Sequence, residues 1–173
     1  GVGLLGYILE QVNKMSFEKM VTDFIASNAG MTDTKQLLTK KDSALFMQGY
    51  DESISLQSQW DFKTLTAAGS LRSNTEDMLK YAALNLNAAD SKLKKAVELS
   101  HQETFDAAEQ KIALNWFIQN WGWGPLLFHG GATGGYRSLL AINQKTKNAI
   151  IVLSNTAVSN DAVGGAILKM VSA

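Results

Sequence analysis

An α+β fold, an antiparallel sheet with flanking helices, is what this sequence predicts, and three observations carry it. Apolar residues recur at helical spacing in the first thirty residues and again after Ser73. From Lys111 to Leu153 the chain changes character, into short apolar runs separated by turn residues. A last helical stripe, Val163, Ala166, Ile167, Met170 and Val171, closes it. Helices, then strands joined by short connections, then a covering helix define that architecture.

Each element follows from its residues. Leu5, Ile8, Leu9 and Val12 fall at i, i+3, i+4 and i+7, which predicts a helix over about 3–14 with those four as its apolar face. Ser16 reads as the N-cap of a second helix striped by Phe17, Met20, Val21, Phe24 and Ile25, and Asn28-Ala29-Gly30 closes it. Residues 31–70 show no sustained period and read as an extended excursion with short strands such as 44–50. Ser73-Asn74-Thr75-Glu76 reads as a capping box opening a helix to about Leu86, and a further helix spans Ser91 to His101. Strands are expected over 112–118, 126–129, 136–142 and 149–153, in an antiparallel meander with a polar hairpin connection at 143–148.

At 173 residues the chain suffices for one compact domain that buries roughly two-thirds of its unfolded surface. Sixteen basic residues balance sixteen acidic ones, which offers no electrostatic case for nucleic acid or an anionic membrane. No apolar run reaches the length of a membrane span. Cysteine is absent, which excludes disulfides, thiolate zinc sites and cysteine nucleophiles.

The stretch richest in chemistry is Phe128-His129-Gly130-Gly131-Ala132-Thr133-Gly134-Gly135-Tyr136-Arg137-Ser138. Two glycines after a histidine at a strand end leave bare backbone, where a polar substrate can approach N–H and C=O groups and an N–H can face a developing oxyanion. His129 is thus a substrate-facing side chain or a satisfied, partly buried one, and spacing alone does not choose. Trp116, Trp121 and Trp123 line a pocket or fill a core.

Other motifs read more plainly. Gly1-Val2-Gly3-Leu4-Leu5-Gly6 matches G-x-G-x-x-G, but no strand precedes it and Asp23 lies inside a helical stripe, so dinucleotide binding lacks its context. Small residues that let the helix start pack closely are the plainer reading. Ser16-Phe17-Glu18-Lys19 and Ser91-Lys92-Leu93-Lys94 match Ser-x-x-Lys, a spacing at which an amine can take a hydroxyl proton. Ser16 fits a cap and Ser91 a solvated charged face. His101 reads as a helix end or surface residue, and two histidines without a third ligand argue against a metal. No cofactor is expected.

Four segments in order carry a resemblance: Gly3-Leu4-Leu5-Gly6 with Ile8-Leu9-Glu10; Gly30-Met31-Thr32-Asp33-Thr34; Ala67-Ala68-Gly69-Ser70-Leu71-Arg72-Ser73 leading to Asp77-Met78; and Phe128 to Ser138 followed by Val152-Leu153-Ser154-Asn155. Together they resemble the serine β-lactamase and penicillin-binding protein superfamily, nearest to class C β-lactamases and their esterase and D-aminopeptidase relatives. The resemblance implies a β-lactamase-like α/β sandwich. It implies that His129-Gly130-Gly131 is the family's His-x-Gly motif, with His129 catalytic, Gly130, Gly131 and Ala132 substrate-binding, and the Ala132 N–H an oxyanion donor. The family's Ser-x-x-Lys and Tyr-x-Asn motifs have no counterpart in their expected places. Residues 1–173 are therefore expected to be the C-terminal portion of one domain, lacking the N-terminal segment with the nucleophile. Alone it should be inactive and expose apolar faces, open to that segment or to self-association. A periplasmic or secreted parent acting on a small-molecule or peptide-like acyl substrate is implied. The alternative from another class is a non-catalytic peptide-binding module of the same fold.

Overall fold

The computed structural model describes residues 1–88, 92–106, 108, 110–120 and 124–172. Helix α1 spans Val2–Asn13 and α2 spans Phe17–Val21, with Ser16 as its cap accepting the Lys19 N–H at 3.2 Å. A π-helical turn, Thr22–Ala26, and a last turn α3, Ser27–Ala29, continue it to Gly30 at φ 71°. The wider turn leaves Met20 and Ala26 buried but swings Phe24 out to 49% exposure, so the expected stripe is only partly a packing face.

Helix α1 buries the opposite of what its apolar spacing predicts. Gly3 and Gly6 are buried, while Leu5, Ile8, Leu9 and Val12 are exposed. The reason is close approach: α1 packs on a 3₁₀ segment, Lys63–Ala68, and a Cβ on Gly3 would lie 2.8 Å from a Leu65 methyl. The glycines of the G-x-G-x-x-G match are thus a packing surface.

Between them, residues 31–72 hold helix α4 at Lys40–Leu45 and a two-stranded ribbon, β1 at Gly49–Tyr50 with β2 at Leu56–Gln57. The strand expected over 44–50 is mostly this helix and the turn after it. Thr39 and Asp42 cap each other reciprocally there, a signal that outweighs the apolar Ala44-Leu45-Phe46 run.

Helix α5 spans Thr75–Leu86 and α6 spans Lys94–Ser100. The cap of α5 is one residue later than the sequence suggests. Asn74, not Ser73, accepts the Asp77 N–H at 2.8 Å, because the Ser73 hydroxyl is engaged with Thr34 Oγ1 at 2.8 Å. Asp77 is 1% exposed and takes the Asp33 N–H at 2.8 Å, the Thr34 hydroxyl at 2.9 Å and Lys80 at 3.2 Å. Burial pushes its carboxyl up, but those donors together hold it below its ordinary 3.8.

Six strands form one antiparallel sheet in sequential order: β3 Phe105–Asp106, β4 Lys111–Ile112, β5 Phe117–Asn120, β6 Pro125–Thr133, β7 Tyr136–Asn143 and β8 Asn148–Ser154. The run expected as a single strand over 112–118 is the β4–β5 hairpin. Asn115 takes φ 64° and the Ala113 N–H donates to the Trp116 carbonyl, which breaks the strand. The β7–β8 turn is the predicted polar connection, with Asn143 Oδ1 accepting the Lys145 and Thr146 N–H groups.

Alternation along the strands sends two cores to opposite faces. Ala82 of α5 packs with Trp116, Leu127, Leu140 and Ile142 on one face. Leu168 of helix α7, Asp161–Ser172, packs with Leu126, Leu139, Ala141 and Ile150 on the other. Helix α7 repeats the lesson of α1. Gly164, Leu168 and Ser172 are buried, whereas Val163, Ile167, Met170 and Val171 are exposed. A Cβ on Gly164 would stand 2.2 Å from a Leu139 methyl. No helix of the described residues is long and apolar enough to cross a membrane.

Candidate active site

Strand β6 positions the candidate residues. The sequence suggests that it ends at His129, but it runs on to Thr133, paired with β7 from Leu126↔Asn143 to Thr133↔Tyr136. The Gly130-Gly131 pair does not end the strand because it serves the ladder. A Cβ on Gly131 would meet the Ser138 hydroxyl of β7 at 2.5 Å.

On its other side β6 pairs with β5 only from Pro125 to Phe128. From His129 to Thr133 that edge carries no strand among the described residues. Gly130, Gly131 and Ala132 are exposed along it, and His129 is exposed too. This is an open template for an extended, amide-bearing ligand. The His129 ring lies parallel to Phe117 at 5.6 Å and 11°, which fixes its plane across the β5–β6 step. His129 also lines a cavity of about 300 Å³ on the α5 face, with Ser138, Met78, Trp116, Leu140 and Leu153.

A second wall was not evident from the sequence. The Gly134-Gly135 turn after β6 touches the 31–72 excursion: a Cβ on Gly134 would lie 2.8 Å from the Trp60 ring, and one on Gly135 2.7 Å from the Tyr50 nitrogen. Trp60 and Phe62, 6.1 Å apart, border a cavity of about 280 Å³ with Gln36, Gln59, Lys63 and Arg72. Arg72 knots that loop, giving two N–H groups to Gln59 Oε1 and one each to the Gln36 and Ser70 carbonyls. The signal available was Trp60-Asp61-Phe62, two aromatics in an otherwise polar stretch.

The remaining candidates lie apart from β6. Lys19 is paired with Asp23 at 2.6 Å while Ser16 caps α2, so that Ser-x-x-Lys match is a capped helix start. Ser91, Trp121 and Trp123 fall outside the described residues. Trp116 is buried in the α5-side core and also walls the His129 cavity, so filling and lining are both its work. His101 caps α6 but is half-buried rather than a surface residue, bonded to Asn85 and edge-on to Trp116. Among the described residues no three potential metal ligands converge.

Fold and site together define an α+β protein with an open strand edge, bare at a glycine pair, that begins at a histidine lining a cavity. The chain belongs to the β-lactamase family, which it matches over residues 1–172. It is 29% identical to protein Flp of Staphylococcus aureus strain N315 over 159 residues, 88% of this chain and 31% of that one. Class C β-lactamase from Rhodobacter sphaeroides superposes with a TM-score of 0.89 at 19% identity, covering 99% of this chain and 58% of the other. D-alanine carboxypeptidase AmpC from Burkholderia cenocepacia superposes with a TM-score of 0.90 at 18% identity, covering 98% and 59%. The chain therefore spans about a third of Flp and a little over half of these solved structures.

Proposed function

We propose that this chain is the C-terminal part of a serine hydrolase of the β-lactamase, D,D-peptidase or esterase type, acting through an acyl-enzyme. The observation that carries the reading is the free edge of β6 from His129 to Thr133, bare at Gly130 and Gly131 and begun by His129, which also lines the cavity on the α5 face. A substrate amide pairs along that edge. His129 orients it and tunes the base contributed by the preceding segment. The Ala132 N–H and the nucleophile's own N–H hold the oxyanion.

In the whole protein the serine oxygen bonds to the acyl carbon, the C–N or C–O bond breaks, and the leaving group takes a proton. Water then releases the acyl group. Nucleophile, base and oxyanion donors act as a unit, so this portion alone has no turnover. The preceding segment covers apolar surface that is exposed here, and the protein works in the periplasm or outside the cell.

The test is reconstitution. The 173-residue chain is mixed with the polypeptide that precedes it and treated with a serine-directed fluorophosphonate and with chromogenic lactams and esters. Labelling of a serine in the added segment, with turnover lowered by His129→Ala, is expected. Esterification of a serine within the 173 residues would overturn the assignment. Peptide binding with no labelling at all would favour a non-catalytic module.

A further inference from the structure

His101 sits in a closed ring of hydrogen bonds that fixes its protonation. Asn85, 3% exposed, gives its amide N–H to the Tyr81 carbonyl at 2.8 Å. Its Oδ1 therefore faces His101 Nε2 at 2.9 Å, and that nitrogen must carry the hydrogen. Gln144, in the β7–β8 turn, donates from its amide nitrogen to the Asn85 carbonyl at 2.8 Å. The same nitrogen lies 3.4 Å from His101 Nδ1, which can only accept. Lys147 locks the Gln144 orientation by donating to its Oε1 at 3.2 Å, and donates also to the Leu86 carbonyl at 3.2 Å. A second proton on the imidazole would meet an N–H at Nδ1, donor against donor.

Among the described residues no charged side chain bonds to His101, whose partners are the amides of Asn85 and Gln144. From α5 the titratable neighbour is Tyr81, reached through Asn85. From the β7–β8 turn it is Lys147, reached through Gln144. The β4–β5 turn presents Trp116, edge-on at 5.8 Å. On the chain around His101, Glu98 pairs with Lys94 and Glu103 with Lys111, all four exposed.

We propose that His101 is an acid-sensitive latch: neutral, it ties α5, α6 and the β7–β8 turn together; protonated, it releases them and loosens Trp116 and the α5 wall of the cavity beside His129. Regulation of catalysis by the latch rests on reading that cavity as part of a substrate cleft; the latch itself does not. Burial holds the His101 imidazolium below the ordinary 6.5. The unfolded chain therefore takes up the proton first as pH falls. The latch stabilises fully above 6.5 and is lost as pH drops through the lower folded value.

The experiment follows the imidazole C–H signals and amide protection of the chain by NMR from about pH 8 to about pH 5, with His129→Asn for assignment. His101 is expected to titrate below 6.5, with protection in α6 and the β7–β8 turn falling in step. His101→Gln, which keeps a donor and an acceptor without a charge, should remove that pH dependence. Gln144→Glu sets a carboxylate against Nδ1, so it should raise the midpoint and reverse the effect, acid then tightening the junction. Titration at or above 6.5, or protection unchanged across the titration, overturns the latch. If His101→Gln does not fold, Gln144→Glu still decides by the sign of its shift. No substrate enters the measurement, so failure here leaves the hydrolase reading standing, and failed reconstitution leaves the latch standing.

Discussion

A Cβ placed on Gly6 would lie 2.3 Å from the Cβ of Ala67, so α1 and the 63–68 segment meet almost backbone to backbone. That distance is below any real carbon–carbon contact, and both atoms belong to short, rigid groups that cannot rotate away.

Gly6→Ala is expected to destabilise the chain by up to about 2 kcal/mol. Helix propensity alone favours alanine by about 1 kcal/mol, and overpacking of about 1–3 kcal/mol opposes it. Gly6→Ala with Ala67→Gly returns the lost methyl space and should recover most of the stability. A double-mutant cycle by urea unfolding checks this. Additive effects of the two substitutions would show that the helix and the segment do not touch as described.

A second expectation concerns Asp77, whose three donors come from Asp33, Thr34 and Lys80. Asp77→Ala strands those donors and should cost about 3 kcal/mol or more. The folded carboxyl is held below 3.8, so its contribution is present above that pH and disappears as pH falls through the folded value. Wild type should therefore lose more stability on acidification below 3.8 than Asp77→Asn does, and thermal unfolding at a series of pH values measures the difference.

The meander and the candidate strand were legible in the sequence because antiparallel strands joined by short turns leave a local trace. Leu126 to His129, Tyr136 to Ile142 and Ala149 to Leu153 each alternate between the two faces of the sheet. Helix facing was not legible. In α1 and α7 the apolar stripe points outward, since Gly3, Gly6 and Gly164 bring backbone close to a neighbour, and spacing of large residues cannot report that. The length of β6 was masked for a related reason: Gly130 and Gly131 look like a strand terminator, yet Gly131 sits in the ladder because Ser138 occupies the space its side chain would need. Trp60 reaches the end of β6 only through tertiary folding of the 31–72 loop.

Gly131→Ala separates packing from function on that strand. The atom in conflict is the hydroxyl of Ser138, which can turn away, so the stability cost should stay near 1 kcal/mol. The displaced hydroxyl and the added methyl then crowd the cavity that His129 lines. Reconstituted activity should fall at least about tenfold, a loss of about 1.4 kcal/mol in transition-state binding. Gly131→Ala with Ser138→Ala should restore the stability but not the activity. Kinetics and unfolding on the same preparations decide it, and full activity in the single variant would remove β6 from the substrate's path.

The outward stripes of α1 and α7 yield the last prediction. Val12 is 74% exposed and Met170 is 79% exposed. In the 173-residue chain Val12→Lys and Met170→Lys should each change stability by less than about 0.5 kcal/mol, since neither side chain packs. Leu4, Leu5, Ile8 and Leu9 extend the α1 stripe, and such a surface drives association in water. Sedimentation velocity of the chain should accordingly show concentration-dependent association that Val12→Lys weakens. In a longer polypeptide whose preceding segment covers α1, the same lysine is forced under apolar surface and should cost about 1 kcal/mol or more. A chain that stays monomeric, with Val12→Lys neutral in both lengths, would mean that water is the natural neighbour of this stripe and that no preceding segment packs on it.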